Sequence, residues 1–400
     1  VRSGPTSFDD LVCHLPGVYP TDARAALDRV HAAGAITQAQ LAQCVQRRPM
    51  RLLPRPSPNL PVPHPLDFDW RFTPEAVDAL IAEYASYVGD TAPVVCVAAP
   101  SLHERLAADD KPTTLIDANQ DMIASLAPLG ADAICARVGS DPLPTLTAAA
   151  VVIDPPWYPA HVDLFLWAAA QFCGDDGLVL LSFPPAGTRP GVADERDAAL
   201  RFAAGLGLSL IDIRRGELGY RSPPFERLAL AAAGLDRIPE DWRRGDLLAL
   251  RASASHHPAV RPSPVTDDLD WTAVPAPPTR IKVKHASTRP KAAPVQPRLN
   301  SIIDGDILPT VSRRDPRRST AAVWTACNRV FACADTAAFA TIVSSSARPD
   351  NAVEAIADAV GRRLSVAEQD EVKVATDQLE ALVCAETRDL EECGWFNRPE

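Results

Sequence analysis

A doubly wound, mostly parallel α/β sheet is what residues 66–251 predict, on two observations. Short apolar runs such as "PVVCVAA", "TTLID", "AVVID" and "GLVLLSF" recur with helical segments of ten or so residues between them. The runs are continuous rather than alternating, as strands covered on both faces must be. Helix 74–88 starts the series, with Thr73 as cap and Pro74 in the first turn. Strands "PVVCVAA", "TTLID", "DAICARV" and "AVVID" follow, separated by helices at "SLHERLAA" and "QDMIASLA". Then come helix "AHVDLFLWAAAQF", strand "GLVLLSF", a helix after Gly191, strand "LSLIDI" and a last strand "GDLLALRA". The stretch "FERLALAAAGL" fits helix or strand.

Outside that span, residues 1–60 predict a small helical region. It holds "TDARAALDRVHAAG", opened by Thr21, and "TQAQLAQCVQRR", opened by Thr37. Their join resembles a helix-turn-helix, but Arg47 and Arg48 are the first cations of the second helix, so a packing layer reads at least as well. Residues 61–252 are the α/β domain, 253–300 a proline-rich basic linker, and 301–400 a mainly helical region with a capping box at Ser365 and Glu368.

Composition narrows the function classes. The chain has 400 residues, 46% hydrophobic and 23% charged, with a net charge of -11. That charge argues against nucleic-acid binding over the whole surface and confines any phosphate contact to a local patch. Such a patch lies between Arg280 and Arg318, ten Lys or Arg against three acids, a contact for phosphate or an acidic partner, or a solvated tether. Nine cysteines stand singly, without a CxxC pair, and read as apolar residues of a reducing cytoplasm rather than zinc ligands or disulfides. No metal site, no membrane contact and a cytoplasmic location are expected, and the alanine, proline and arginine content suggests a GC-rich bacterial genome.

Ligands of open α/β sheets bind beyond the carboxyl ends of the strands. The first strand ends in Ala98, Ala99 and Pro100, small residues that allow close approach. Ser101 would cap the next helix, completing a capping box with Glu104, and that helix start suits a ligand carboxylate. The second strand ends in Asp117, an acid placed to take ribose hydroxyls; Asp141 is a candidate for an adenine end. After "AVVID" comes Asp154-Pro155-Pro156-Trp157. Proline has no amide hydrogen, so the Pro155 carbonyl can serve beside the Asp154 carboxylate as a pair of acceptors for an NH2 group. Trp157 or Tyr158 offers a flat face to a base or a cation.

These residues resemble the D-P-P-[YFW] signature of class I S-adenosylmethionine-dependent amino-methyltransferases, and more closely the N6-adenine-methyltransferase-like family that includes the elongation factor 1-alpha lysine methyltransferase. The likeness covers about residues 66–215 and includes the glycine-poor loop Val97-Ala98-Ala99-Pro100-Ser101 and the segment "DFDWRFTPEAVDAL" before the first helix. It implies a seven-stranded Rossmann-like methyltransferase sheet, here with helical additions at both ends. It further implies S-adenosyl-L-methionine as cofactor, held by Ala98 to Ser101, Asp117 and Asp141. Asp154, Pro155, Pro156 and Trp157 would do the chemistry, with Tyr158 and Phe183 near an acceptor that is adenine N6 in nucleic acid or a protein lysine. The glycine-rich G-x-G of methyltransferases is absent. Two other readings stay open: aminopropyl transfer to a polyamine, and an inactive scaffold that binds partner proteins.

Overall fold

A computed structural model describes residues 7–44, 53–54, 56–130, 132–253, 260–265, 270–285, 293–345 and 349–396. The chain divides into two units: 1–61 with 70–222 and 237–265, and 62–69 with 223–236 and 266–400.

The first unit starts with α1 (Phe8–His14), α2 (Pro20–Ala32) and α3 (Gln38–Cys44). α1 escaped the sequence reading. α2 begins earlier than expected because Pro20 takes the first position, so Tyr19 rather than Thr21 is the N-cap. Thr37 does cap α3, accepting from the Gln40 amide at 3.2 Å. Arg47 and Arg48 lie outside the described residues.

The sheet is built from β1 (Arg71–Phe72), β2 (Val94–Val97), β3 (Thr113–Asp117), β4 (Asp132–Cys135), β5 (Ala148–Ile153), β6 (Cys173–Phe183), β7 (Leu208–Arg221) and β8 (Arg243–Ala252). Between them run α4 (Pro74–Val88), α5 (Pro100–Ala108), α6 (Gln120–Leu126), α7 (Pro159–Phe172) and α8 (Val192–Gly205). Strand order is β1-β7-β8-β6-β5-β2-β3-β4. β4, β3, β2, β5 and β6 are parallel, whereas β8 runs antiparallel to both β6 and β7. The seven long strands thus follow the order 3-2-1-4-5-7-6, a Rossmann-like doubly wound sheet whose topology switches between β2 and β5. The two-residue β1 makes the sheet eight-stranded where seven strands were expected.

Alternation along each strand explains the double cover. Val95, Val97, Val151, Ile153, Val179 and Leu181 pack with α7 and α8. Val94, Cys96, Val152, Leu178 and Leu180 pack with α4, α5 and α6 on the other face. Each aliphatic side chain fully buried this way contributes roughly 1.5–3 kcal/mol. Thr73 caps α4 through the Ala76 amide at 3.3 Å, with Pro74 in the first turn.

The second unit corrects the reading of 253–300 as linker and adds short strands to the mainly helical 301–400. It contains α9 (Pro224–Ala232), which settles the "FERLALAAAGL" ambiguity, and β9 (Trp271–Ala276), β10 (Thr279–Lys284), β11 (Asn300–Ser301), β12 (Val323–Thr325) and β13 (Val330–Ala332). These strands form an antiparallel sheet in the order β11-β13-β12-β10-β9. In β10 the period-2 pattern buries Thr279, Ile281 and Val283, a signal hidden by the prolines and lysines around it. α10 (Thr336–Ser344), α11 (Pro349–Val360) and α12 (Val366–Glu392) cover the sheet through Phe339, Ile342, Ile356 and Leu379. The Ser365–Glu368 capping box starts α12.

Candidate functional site

Register brings three predicted residues into one row. Val97 at the end of β2 pairs with Ile116 on β3 and with Ile153 on β5. The next residue of each strand is therefore Ala98, flanked by Asp117 on one side and Asp154 on the other. Backbone bonds tie the row: the Ala98 amide donates to the Ile116 carbonyl at 2.9 Å and the Asp154 amide to the Val97 carbonyl at 3.1 Å. Two strand spacings put the main chains of the two acids about 9–10 Å apart.

Ala98 stands at φ 53°, in the left-handed region. For a residue with a Cβ this costs roughly 1–2 kcal/mol. The turn delivers the chain into α5, whose N-cap is Ala99 and whose first residue is Pro100; no side chain among the described residues caps it. The expected capping box of Ser101 and Glu104 does not form, because Pro100 in the first position moves the helix start two residues back. Glu104 instead accepts from the Ser57 hydroxyl and from Asn59 Nδ2 at 3.1 Å. The first-turn amides of Ser101 and Leu102 thus end at the same edge, with the positive end of the helix dipole behind them.

Asp117 takes the Asn119 amide on Oδ1 at 2.8 Å, and Asn119 in turn caps α6. Asp141 takes the Arg137 amide on Oδ2 at 2.8 Å. Both acids reach Cys135 at the end of β4: burial pushes its thiol pKa up, and the charges of Asp117 and Asp141 push it further. Ala98, Ala99, Asp117 and Asp141 therefore share one edge.

On the other side of Ala98, Asp154 belongs to a chain of hydrogen bonds that the sequence did not reveal. The Tyr220 hydroxyl donates to Asp154 Oδ1 at 2.6 Å. Ser182 Oγ bonds the Tyr220 oxygen, and Trp157 Nε1 donates to Ser182 Oγ at 3.2 Å. Donors run one way, Trp157 to Ser182 to Tyr220 to Asp154, so the carboxylate stays an acceptor. Burial and the Asp154 charge both hold the Tyr220 phenol well above its ordinary pKa, keeping its proton in place as donor. Trp157 also meets the Tyr220 ring edge-on, centroids 5.5 Å apart. Gly245 on β8 makes the crossing possible, since a Cβ there would lie 3.0 Å from the Trp157 ring and 3.3 Å from that of Tyr220. Pro155 is buried, and among the described residues no hydrogen bond reaches its carbonyl; the Pro156 carbonyl takes the Tyr158 amide at 2.7 Å.

Tyr158 and Phe183 wall a cavity of about 60 Å³ together with Trp157, Asp163, Arg189 and Glu195. That is space for one or two waters, at ~30 Å³ each, and not for a base. Arg189 lies 5.8 Å from the Tyr158 ring centre and pairs with Glu195.

The basic stretch 280–318 is largely engaged within its own unit. Asp67 takes Arg280 at 2.8 Å and also Lys282. Arg298 pairs with Glu371, and Arg317 with Asp315. Arg313 and Arg318 lie over the rings of Phe68 and Trp324. Arg289 and Lys291 fall outside the described residues. No helix among the described residues is long and apolar enough to cross a membrane, and no group of three or more His, Cys, Asp or Glu is placed to hold a metal ion.

No family model matches the chain, and no curated protein sequence matches it. Solved structures do. The branched-chain polyamine synthase of Thermus thermophilus, in complex with N4-aminopropylspermidine and 5'-methylthioadenosine, is 18% identical at a TM-score of 0.43, covering 64% of this chain and 70% of its own. A TehB-like S-adenosylmethionine-dependent methyltransferase from Corynebacterium glutamicum is 14% identical at a TM-score of 0.32, covering 45% and 88%. An S-adenosylmethionine-dependent methyltransferase from Clostridium acetobutylicum is 8% identical at 0.33, covering 45% and 91%.

Proposed function

We propose that the chain is an S-adenosylmethionine-dependent N-methyltransferase whose acceptor is an amine uncharged at neutral pH, of the adenine N6 type. The observation that carries this reading is the row Asp117, Ala98, Asp154, with the uncapped start of α5 beside it. Those residues fit the cofactor. Asp117 would take the ribose hydroxyls, the Ser101 and Leu102 amides the methionine carboxylate, and the small residues Ala98 and Ala99 leave room for its sulfur end. Asp141 would lie on the adenine side. Bound there, the cofactor supplies an electrophilic methyl group on a sulfonium.

The chain's part is positioning. The Asp154 carboxylate and the Pro155 carbonyl would accept the two N–H bonds of the amine and aim its lone pair at the methyl carbon. Asp154 would take the surplus proton of the amine and pass it to water. Tyr220 fixes the rotamer of Asp154. A lysine acceptor fits this arrangement less well: its unperturbed pKa of ~10.4 makes deprotonation at pH 7 cost about 4.6 kcal/mol, and a neighbouring carboxylate raises that cost.

Incubation with tritiated S-adenosylmethionine and separate DNA, RNA and protein fractions tests the reading. Label is expected in nucleic acid and should fall at least ~10²-fold with Asp154→Asn. Undiminished label in the variant removes Asp154 from the mechanism, and label in protein alone moves the acceptor to a side chain.

A further inference from the structure

Beside the candidate site one guanidinium faces three indoles. The central carbon of Arg243 lies 4.9 Å from the Trp242 ring centre, 5.0 Å from that of Trp70 and 5.7 Å from that of Trp157. Three of the chain's seven tryptophans thus surround one internal cation, although they come from three separate stretches of sequence. Trp242 is 1% exposed, and among the described residues its Nε1 has no hydrogen-bond partner. It makes contacts through its ring, with Tyr19 edge-on at 5.5 Å and Arg243 over the face. Boxes of aromatic faces are how proteins bind alkylammonium and quaternary ammonium ions. This one is already filled.

Its position matters. Arg243 pairs with Tyr220 across β7 and β8, Tyr220 bonds Asp154, and Trp157 follows Asp154 by three residues. An aromatic box adjoining a carboxylate would be a strong ammonium site if it stood open. A guanidinium fixed inside it occupies the faces and repels a second cation.

We propose that the three-tryptophan box is a cation site and that Arg243, by filling it, is the specificity-determining residue that turns ammonium-bearing acceptors away from Asp154. The cation site rests on the box geometry; the exclusion of acceptors rests on the methyltransferase reading above. Tetramethylammonium chloride, with sodium chloride as control, can be titrated by tryptophan fluorescence into the wild-type chain, Arg243→Ala and Arg243→Gln, each first shown to be folded by near-ultraviolet circular dichroism. Both variants should bind it at least about tenfold more tightly than the wild type, a difference of about 1.4 kcal/mol. Adding Trp70→Leu should abolish the gain. With tritiated S-adenosylmethionine and the nucleic-acid acceptor, tetramethylammonium should inhibit labelling by the same variants and leave labelling by the wild type unaffected. Folded variants that bind tetramethylammonium no better than the wild type overturn the proposal. Tighter binding with no label in any acceptor, wild type included, upholds the cation site and removes methyl transfer instead.

Discussion

Asp154 in the first unit and Glu386 in the second are carboxylates held in opposite ways. Glu386, in the C-terminal third of α12, is 0% exposed and takes four donors: Thr279 at 2.7 Å, Thr325 at 2.8 Å, the Cys327 amide at 3.1 Å and Arg329 at 2.7 Å. Asp154 stands part-exposed at a strand end, oriented by a neutral phenol and followed by Pro155, whose carbonyl takes no hydrogen bond among the described residues. A buried acid satisfied by hydroxyls, an amide and a guanidinium is a structural pin. An acid held in one rotamer at the edge of an open α/β sheet is arranged to meet something else.

Substitution should break the two in different currencies. Glu386→Ala leaves the buried donors of Thr279, Thr325 and Cys327 without their acceptor, while Arg329 keeps Asp389, and should cost at least ~3 kcal/mol, seen as an earlier urea transition. Asp154→Asn should leave that transition within ~1 kcal/mol of the wild type while removing transfer. If the first proves harmless and the second unfolds the chain, the contrast is wrong. Tyr220→Phe sharpens it, deleting only the hydroxyl that orients Asp154. A hydrogen bond to a charged group contributes about 1.5–3 kcal/mol, so transfer should fall at least about tenfold with the fold kept. Unchanged transfer would mean that Asp154 is oriented by other groups. The smallest effect is expected at Ala98→Gly. Relief of the left-handed backbone, less the extra freedom glycine gives the unfolded chain, should raise stability by ~0.5–1 kcal/mol. Lower stability would show that the methyl group packs more favourably than the turn is strained.

The sheet was legible because continuous runs such as Val94–Val97 and Ala148–Ile153 carry their own signal, and their shared ends placed Asp117 and Asp154 together before any coordinates. The partners of Asp154 were not legible. Ser182, Tyr220, Arg243 and Gly245 lie on β6, β7 and β8, some 30 to 90 residues further along, and nothing local says that β8 inserts between its neighbours. β7 was read as ending at Ile213, since "RRGELGYR" is charged and contains a glycine; a register shift between Arg214 and Leu218 lets the strand continue to Tyr220. Prolines masked the hairpin of β9 and β10 in the same way, although Ile281 and Val283 alternate with lysines as an antiparallel strand requires.

We propose that the Asp117, Ala98, Asp154 edge binds S-adenosylmethionine. Isothermal titration calorimetry of the folded chain against Asp117→Ala tests it most directly. Saturable heat in the wild type that vanishes in the variant is the predicted result. No heat from well-folded wild-type protein, or equal binding by both chains, contradicts it.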